Sequence, residues 1–309
     1  MPPPPPRAAL RAPELPAGGL WTALKVVEET GSTNADVMAA ARDGAAEGLV
    51  VVAEHQRAGR GRAGRSWSSP PRAGLIVSVL LRPAAATGRW PPAPPPTWGW
   101  LPLLAGVALA ESVNRLAGVD ASLKWPNDLL VSSERSSEAS DAAGSSDERK
   151  CAGILAEVAG ETVVVGIGLN VTFGTEELPP PGPGALPATS LALAGARTTD
   201  RGVLLAGLLS ALERWYGGWR AHAGDAYACA LRAAYRRASA TLGRPVRAVL
   251  PDGTELTGTA DTVDPDGRLV LRTGAGTRTL AAGDVIHLRS GPSHAVRPAD
   301  CDGGGQALR

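Results

Sequence analysis

Proline is distributed unevenly along the chain, and this distribution limits where a folded core can lie. Fifteen of the 27 prolines fall in three short tracts, at residues 2–6, 91–96 and 179–187. Proline fixes φ and has no backbone N–H, so these tracts predict extended linkers or loops. A fourth irregular segment, 132–149, is rich in Ser, Asp, Glu and Ala and predicts a solvated, disordered loop. We therefore expect most of the proline to lie outside the folded core.

The segments between these tracts alternate between strand-like and helix-like patterns. Runs of Val, Ile and Leu predict buried strands, and a long apolar run at 98–116 predicts a helix. Ser32 or Thr33 is expected to cap a helix over 34–42. Further helices are expected between about 199 and 240. The predicted strands of this region lie at 24–28, 49–53, 75–81, 121–124, 128–131, 154–158 and 162–167.

The character of the sequence changes after Leu242, where short strands alternate with tight-turn residues. The turns are Asp252-Gly253, Asp266-Gly267 and the glycine-containing segment 274–276. Such regular hairpin spacing predicts a small all-β barrel. The predicted fold class is α+β, with a mixed β-sheet flanked by helices and a small C-terminal β-barrel. The predicted divisions are a disordered tail at 1–20, the main domain at 21–241, the barrel at 242–290 and a disordered tail at 291–309, with loop insertions near 84–97, 132–149 and 174–187.

Charge and cysteine content narrow the class of protein. Lys+Arg minus Asp+Glu is 31 − 30 = +1, which indicates neither a nucleic-acid partner nor a membrane surface. Cysteines at 151, 229 and 301 have no spacing typical of a disulfide framework or a metal site. No apolar run approaches the roughly 18 residues of a membrane span, and the N-terminus lacks the apolar core of a signal peptide. We expect a soluble, cytoplasmic protein.

Arginine and glycine are concentrated in the segment 55–67, His-Gln-Arg-Ala-Gly-Arg-Gly-Arg-Ala-Gly-Arg-Ser-Trp. Its G-x-G-x-x-G pattern would indicate a dinucleotide-binding site only if a helix began there and an acidic residue followed about 20 positions later. Residues 68–71 (Ser-Ser-Pro-Pro) block a helix, and no Asp or Glu occurs between Arg65 and Ala110. The segment instead favours a mobile loop that closes on an anion, because glycine exposes backbone N–H groups and arginine supplies forked, charged donors. A solvated loop or an RGG-like nucleic-acid contact is the alternative.

Four other segments carry polar groups at the ends of predicted elements. They are Gly-Ser-Thr-Asn at 31–34, Lys-Trp-Pro-Asn-Asp at 124–128, Lys-Cys-Ala-Gly-Ile-Leu-Ala-Glu at 150–157 and Val-Val-Gly-Ile-Gly-Leu-Asn at 164–170. Taken singly, each has an ordinary structural explanation. The lysines could be surface charges, Asn170 a turn residue and Ser32 a plain helix cap.

Taken together and in this order, the five segments resemble those of the biotin protein ligases, which attach biotin to carrier domains of carboxylases. The matching residues span about 140 positions, and the terminal barrel is similar to the SH3-like domain of that family. The resemblance implies a class II synthetase-like biotin/lipoate ligase catalytic domain. The sequence resembles the members of this family that have no N-terminal DNA-binding domain, because only about 22 Pro-rich residues precede the first predicted strand.

The resemblance implies a two-step reaction and a set of site residues. Biotin would be activated by ATP to biotinyl-5′-AMP, with Mg²⁺ screening the phosphates, and then transferred to a lysine of a biotin carboxyl carrier domain. Lys150, Arg62 and Asp128 would be catalytic, with Asp128 orienting or deprotonating the acceptor lysine. The implied biotin-binding residues are Ser32, Thr33, Asn34, Gln56, Gly59, Arg60, Arg62, Lys150 and Gly153. The implied ATP-binding residues are Arg62, Arg65, Trp67, Lys124, Asn127 and Asn170.

Two features depart from the family pattern, and two other functions stay open. The segment 132–149 separates Lys150 from the Asn-Asp turn, and Cys151 stands where an apolar residue is expected. A flexible insertion costs little, because loop-closure entropy grows slowly with length, and buried cysteine acts as a small hydrophobe. The nearest alternative is a lipoate or other acyl-adenylating ligase. A nucleic-acid-binding module is disfavoured because only Trp67 lies near the arginine loop. No DNA or membrane partner is expected, and the oligomeric state stays open, with a homodimer as one option.

Overall fold

The computed structural model describes residues 7–86, 88–132, 148–182 and 184–288. Within these ranges the chain forms a seven-stranded mixed sheet, four α-helices and a five-stranded antiparallel sheet. The strands of the first sheet are β1 (Ala23–Thr30), β2 (Leu49–Gln56), β3 (Gly74–Leu81), β4 (Asp120–Lys124), β5 (Asp128–Ser132), β6 (Glu148–Ala159) and β7 (Thr162–Asn170). The helices are α1 (Thr33–Arg42), α2 (Trp100–Ala117), α3 (Arg201–Ala221) and α4 (Leu231–Ala238). The strands of the second sheet are β8 (Pro245–Val249), β9 (Glu255–Val263), β10 (Leu269–Thr273), β11 (Gly276–Leu280) and β12 (Asp284–His287).

The first sheet has the strand order β1-β2-β3-β7-β6-β5-β4. Strands β1 and β2 pair in parallel, while the other neighbouring strands pair antiparallel. The interior strand β3 is buried along its whole length, as its run of Leu, Ile and Val predicts. Gly160, at φ 58°, makes the tight turn of the β6–β7 hairpin that the sequence predicts.

Helices cover both faces of this sheet, and the alternation of side chains along β2 shows how. Val50 and Val52 belong to the large core that contains α2 and α3, whereas Leu49 and Val51 pack in a smaller cluster with Val37 of α1. Successive strand residues point to opposite faces, so one strand contributes to both clusters. The predicted fold class is confirmed for this part of the chain.

The second sheet has the order β11-β10-β9-β8-β12, and its hairpins contain the predicted Asp-Gly turns. It is an open sheet with β11 and β12 at its edges rather than a closed barrel. It packs directly on the first domain: Trp100 Nε1 donates to the carbonyls of Asp264 (3.2 Å) and Pro265 (2.9 Å) at the β9–β10 turn. A Cβ on Gly99 would lie 2.2 Å from Asp266 O, so glycine is required for this close approach.

A polar cluster also joins the two parts of the chain. Arg244 donates to both carboxylate oxygens of Glu148, at 2.6 and 2.9 Å. His287 Nδ1 lies 3.8 Å from Glu148, and its Nε2 lies 3.0 Å from Thr241 Oγ1. That hydroxyl accepts from the Trp125 N–H at 3.0 Å. The cluster therefore connects the second sheet to the 124–128 segment and to the start of β6.

The N-terminal region differs from the disordered tail that the sequence predicts over 1–20. From residue 7 the chain packs against the main domain, with Leu10 and Leu15 against the core and Leu20 buried. The reason is that isolated leucines and Arg7 find partners on the domain surface, which composition alone does not indicate. The predicted tail residues 1–6 and 291–309 lie outside the described residues, as do residues 289–290 of the predicted barrel and residues 87, 133–147 and 183 of the predicted insertions.

The second proline tract also contributes to packing, contrary to the expectation that most proline lies outside the core. Ala93 is buried, and its N–H donates to Pro83 O at 2.8 Å. The fully buried Arg220 of α3 donates to Pro91 O at 3.0 Å. Proline supplies carbonyl acceptors as readily as other residues, so an extended proline segment can satisfy a buried guanidinium. Among the described helices, none is long and apolar enough to cross a membrane.

Candidate active site

A cavity of about 390 Å³ opens beside the N-terminus of α1 and the ends of β6 and β7. The segment 55–67 and the third proline tract complete its walls. Twelve of the residues that the sequence predicts for the site line it. They are Ser32, Thr33, Asn34, Gln56, Arg60, Arg62, Arg65, Trp67, Asn127, Lys150, Gly153 and Asn170. Gly59, Lys124 and Asp128 do not line it. Gly59 lies against Trp67, Asp128 pairs with Lys150, and Lys124 is opposite Asp128 in the β4–β5 hairpin.

Gln56 organises the end of the cavity next to α1. Its Oε1 accepts from the Thr33 N–H at 2.7 Å and from Thr33 Oγ1 at 3.0 Å. An amide oxygen in this position satisfies one of the free N–H groups of the helix N-terminus. Ser32 occupies the N-cap position, yet its side chain makes no capping hydrogen bond. Ser32 is therefore at the N-cap as the sequence predicts, but Gln56 supplies the side-chain hydrogen bond to the helix N-terminus, and the Ser32 hydroxyl stays available to a ligand.

Two polar residues that sequence reasoning missed support this end of the site. Ser78, fully buried in β3, donates to Thr33 Oγ1 at 2.7 Å or to Asn34 Oδ1 at 2.6 Å. Glu157 accepts from Asn34 Nδ2 at 2.7 Å and pairs with Arg60 at 3.4 Å. Each could have been found as a lone polar residue in an otherwise apolar strand run, because buried polar groups need partners.

The arginine-rich segment forms a small hairpin-like loop rather than an extended chain. Gly61 N donates to Arg65 O at 2.6 Å, and Trp67 N donates to Gly59 O at 2.9 Å. Ala63 and Gly64 turn the chain at positive φ, 52° and 72°. A Cβ on Gly59 would lie 2.3 Å from Trp67 O, so Gly59 permits the base of the loop to close.

Trp67 lies flat against two glycines in the floor of the cavity. A Cβ on Gly168 would lie 2.4 Å from the indole ring, and one on Gly153 would lie 2.9 Å from it. The two glycines face each other in the β6–β7 ladder, so they form one smooth surface for the ring. Glycine is therefore required at both positions because the Trp67 ring approaches the strand backbone closely.

Lys150 lies at the centre of the site. Its Nζ is 2.7 Å from Asp128 Oδ1 and 5.9 Å from the centre of the Trp67 ring. The side chain is about one-third exposed, so a ligand can reach it. The structure brings this lysine next to the 124–128 turn despite the intervening segment, because β5 and β6 pair and set Leu130 opposite Lys150.

Positive charge is concentrated on the side of the cavity that faces the second sheet. Desolvation lowers the pKa of Arg62 and of Lys124, although Asp128 and Asp284 act in the opposite direction. Arg62 donates to Asn127 Oδ1 at 3.4 Å, and Arg65 pairs with Asp284 of β12 at 2.8 Å. A partly desolvated cation gains most from an anionic ligand, which suits a site for phosphate. Asp284 was missed because its sequence position gives no sign of its contact with the loop.

The third proline tract lines the cavity, which corrects the prediction that it is an insertion outside the fold. We call residues 179–182 and 185–188 the proline wall. Its far end is fixed by Lys150, whose N–H donates to Pro187 O and whose carbonyl accepts from Thr189 N, both at 2.8 Å. Asn170 Nδ2 donates to Thr189 O at 2.9 Å. Proline has no backbone N–H and cannot donate in a β-ladder, but an extended proline segment supplies apolar rings and carbonyl acceptors.

Cys151 takes the place expected for an apolar residue and behaves as one. It is fully buried, and burial raises the pKa of its thiol well above the usual range, which keeps it protonated. Among the described residues, no group of three or more His, Cys, Asp or Glu side chains could hold a metal ion.

The comparisons with known proteins agree with this geometry. The Biotin/lipoate A/B protein ligase family model matches residues 26–173, and the Biotin protein ligase C terminal domain model matches residues 241–288. A biotin–[acetyl-CoA-carboxylase] ligase of Mycobacterium tuberculosis is 43% identical over 93% of this chain and 97% of its own length. The chain belongs to the biotin protein ligase family. The bifunctional ligase/repressor BirA of Bacillus subtilis is 30% identical, over 79% of this chain and 68% of that protein.

Solved structures of biotin protein ligases share the fold. The Aquifex aeolicus enzyme in complex with biotin and ATP superimposes with a TM-score of 0.64, at 24% identity over 86% of this chain and 99% of that one. The Leishmania major enzyme in complex with biotinyl-5-AMP has a TM-score of 0.53 at 22% identity, over 84% of this chain and 98% of that one. At this identity the likeness establishes the fold.

Proposed function

We propose that this chain is a biotin–[acetyl-CoA-carboxylase] ligase with the activity named for its Mycobacterium tuberculosis relative. It activates biotin with ATP and transfers it to a lysine of a biotin carboxyl carrier domain. The observation that carries the proposal is the position of Lys150, which lies inside one cavity with the loop arginines and the Gln56–Thr33 pair. Two anionic substrates can meet there beside several cations.

Biotin must first be activated because a carboxylate is a poor electrophile. This step needs cations because both reactants are negatively charged. A biotin carboxylate oxygen attacks the α-phosphorus of ATP, the bond to the β-phosphate oxygen breaks, and pyrophosphate leaves. Biotinyl-5′-AMP remains as the activated acyl donor. Charge develops on the phosphate oxygens in this step, and pre-positioned cations stabilise it without rearrangement. Lys150 and Arg62 are suited to this role, since both line the cavity.

The two ends of the cavity suit different parts of the intermediate. Hydroxyl and amide groups of Ser32, Thr33, Asn34 and Gln56 suit the ureido head of biotin, with Gly59, Arg60 and Gly153 around it. Arg62, Arg65, Trp67, Lys124, Asn127 and Asn170 are assigned to the nucleotide. Mg²⁺ enters with ATP as the companion of its phosphates, so no carboxylate cluster of the chain is needed for it.

The second step needs a neutral amine. At an unperturbed pKa of about 10.4, only about one lysine amine in 2,500 is neutral at pH 7. Asp128 is proposed to orient or deprotonate the acceptor lysine of the carrier domain, whose amine then attacks the acyl carbon while AMP leaves. Asp128 does not line the cavity, but it is 17% exposed and lies 2.7 Å from Nζ of the cavity-lining Lys150, which supports this role.

Labelling of an apo carrier domain tests this function. The protein is incubated with ATP, Mg²⁺, biotin and the apo carrier domain of a biotin-dependent carboxylase, and the product is probed with streptavidin. Parallel reactions contain lipoate in place of biotin, or omit ATP. Labelling that requires both biotin and ATP is expected. Transfer of lipoate without transfer of biotin would instead establish the related acyl-adenylating activity, and tight, salt-sensitive binding of an added oligonucleotide without either transfer would indicate a nucleic-acid module.

A further inference from the structure

The first described residues of the chain reach the base of the proline wall. We call residues 7–15 the N-terminal strap. Arg7 donates to both carboxylate oxygens of Glu177, at 3.0 and 2.5 Å. It also donates to Thr172 Oγ1 at 3.1 Å and to Thr172 O at 2.9 Å. One guanidinium therefore holds both ends of the segment that leads from β7 to the wall.

Glu177 is the residue through which Arg7 can act on the cavity. It ends the short helical turn Thr175–Glu177, and its carboxylate also accepts from the Gly174 N–H at 2.8 Å. The hydrogen bond from Arg7 lowers the pKa of Glu177, so this carboxylate is ionised at neutral pH. The cavity-lining residue Pro179 follows two positions later. A shift of Glu177 would therefore move the wall.

The strap is itself fixed to the buried part of the domain. Leu10 N donates to Glu54 Oε1 at 2.5 Å, and Arg201 Nη2 donates to Ala8 O at 2.6 Å. Glu54 and Arg201 are buried and paired with each other. A Cβ on Gly202 would lie 2.6 Å from Arg11 O, so the strap lies directly on the start of α3. Arg7 is thus attached to a rigid support, as a positioning residue must be.

We infer that Arg7 is a positioning residue that holds the proline wall against the cavity and so slows the release of bound ligand. Lys150 fixes one end of the wall, and Arg7 fixes the other through Glu177. Without Arg7, Thr172 and Phe173 keep their hydrogen bonds to Ala73 and Ser190. The remaining hydrogen bonds described for 174–182 are local turn contacts, so this part of the segment opens more often. The part that concerns retention of biotinyl-5′-AMP rests on the proposed function, whereas the effect on the wall does not.

The first test measures the segment that leads to the wall in the ligand-free protein, because Pro179, Pro180 and Pro181 have no amide hydrogen. Amide hydrogen exchange at residues 174–178 and 182 is compared in the wild type, Arg7→Gln, Arg7→Lys and the control Arg11→Gln, whose side chain is exposed on the same strap. We expect faster exchange in Arg7→Gln, an intermediate rate in Arg7→Lys, which keeps the charge but not the two-point contact, and the wild-type rate in Arg11→Gln. Unchanged exchange in Arg7→Gln, or equal acceleration by Arg11→Gln, would overturn the inference.

The second test measures ligand release. Each variant is loaded with labelled biotinyl-5′-AMP, and its dissociation into excess unlabelled adenylate is followed. A partly exposed, bidentate ion pair predicts release about 3- to 10-fold faster in Arg7→Gln, with the Tm within a few degrees of the wild type. If a variant shows faster amide exchange in 174–178 but releases the adenylate at the wild-type rate, the retention role is overturned. If the wild-type chain neither forms nor binds the adenylate, the proposed function fails, while the exchange experiment still decides the role of Arg7.

Discussion

Lys150 Nζ lies 2.7 Å from Asp128 Oδ1. The ion pair joins the group proposed to stabilise the first step to the group proposed to assist the second. It forms because the β4–β5 turn and the start of β6 are neighbours in the sheet. We propose that arrival of the anionic substrates gives Lys150 new partners and frees the Asp128 carboxylate, so that the two residues act in sequence.

Replacement of Asp128 separates the two steps. In Asp128→Asn we expect transfer to the carrier domain to fall by about 100-fold or more, the usual contribution of a positioned base. Biotin-dependent pyrophosphate exchange should fall less, because the cations remain. Asp120→Asn, at the exposed far end of the same hairpin, is the control and should change neither rate. Equal loss of both rates in Asp128→Asn would assign Asp128 to the support of Lys150 alone.

Gly168→Ala tests the packing of Trp67 on the cavity floor. The new methyl group would lie 2.4 Å from the indole ring, so the ring must move. We expect the KM values for ATP and biotin to rise by about 10-fold or more, since displacement of about 1 Å in a site is costly. Gly218→Ala, on α3 where a new Cβ would meet nothing within 4 Å, is the matched control. Unchanged KM values in Gly168→Ala would show that the position of Trp67 does not affect the binding of ATP or biotin.

Ligand binding should protect the arginine loop. Residues 59–67 project beside the cavity, and several of their side chains are exposed. When biotin and ATP bind, the arginines gain anionic partners and the loop becomes ordered around them. Trypsin cleavage after Arg60, Arg62 and Arg65 is therefore expected to slow with both ligands present. The same cleavage rate with and without saturating ligands would argue against closure of the loop.

The contact between the two sheets should weaken in acid. Burial by itself would raise the pKa of Glu148, but pairing with His287 and Arg244 outweighs it and lowers that pKa to about 2. The unfolded value is about 4.3. A carboxyl with a depressed folded pKa contributes stability that is complete above about pH 4.3 and is lost as pH falls towards 2. Thermal unfolding of Glu148→Gln should be less dependent on pH across this window than that of the wild type, and equal dependence would contradict the assignment.

The strands could be predicted because local patterns determine them. The continuous apolar run of β3 and the Asp-Gly turns of the second sheet leave few alternatives. The candidate site residues came from the family resemblance of ordered motifs. The motifs 31–34, 55–67 and 150–157 contribute to one cavity because the first follows β1, the second begins at the end of β2 and the third lies in β6 of the same sheet.

The remaining features depend on contacts between distant residues. The strap is held by Arg7 and Glu177, which are 170 positions apart, and no local pattern links them. Proline composition suggested that the third tract lies outside the core, yet its carbonyls and rings form the cavity wall. The Gln56 side chain caps α1 in place of Ser32, which is a tertiary replacement of a local preference.

The role of Lys150 in the activation of biotin is tested by biotin-dependent exchange of labelled pyrophosphate into ATP, measured for the wild type and for Lys150→Ala. We expect robust exchange that requires biotin in the wild type, and a loss of about 100-fold or more in Lys150→Ala with its fold intact by circular dichroism. Lys25→Ala, an exposed lysine of β1, should exchange like the wild type. Full biotin-dependent exchange in Lys150→Ala, or wild-type exchange that needs lipoate rather than biotin, would contradict this expectation.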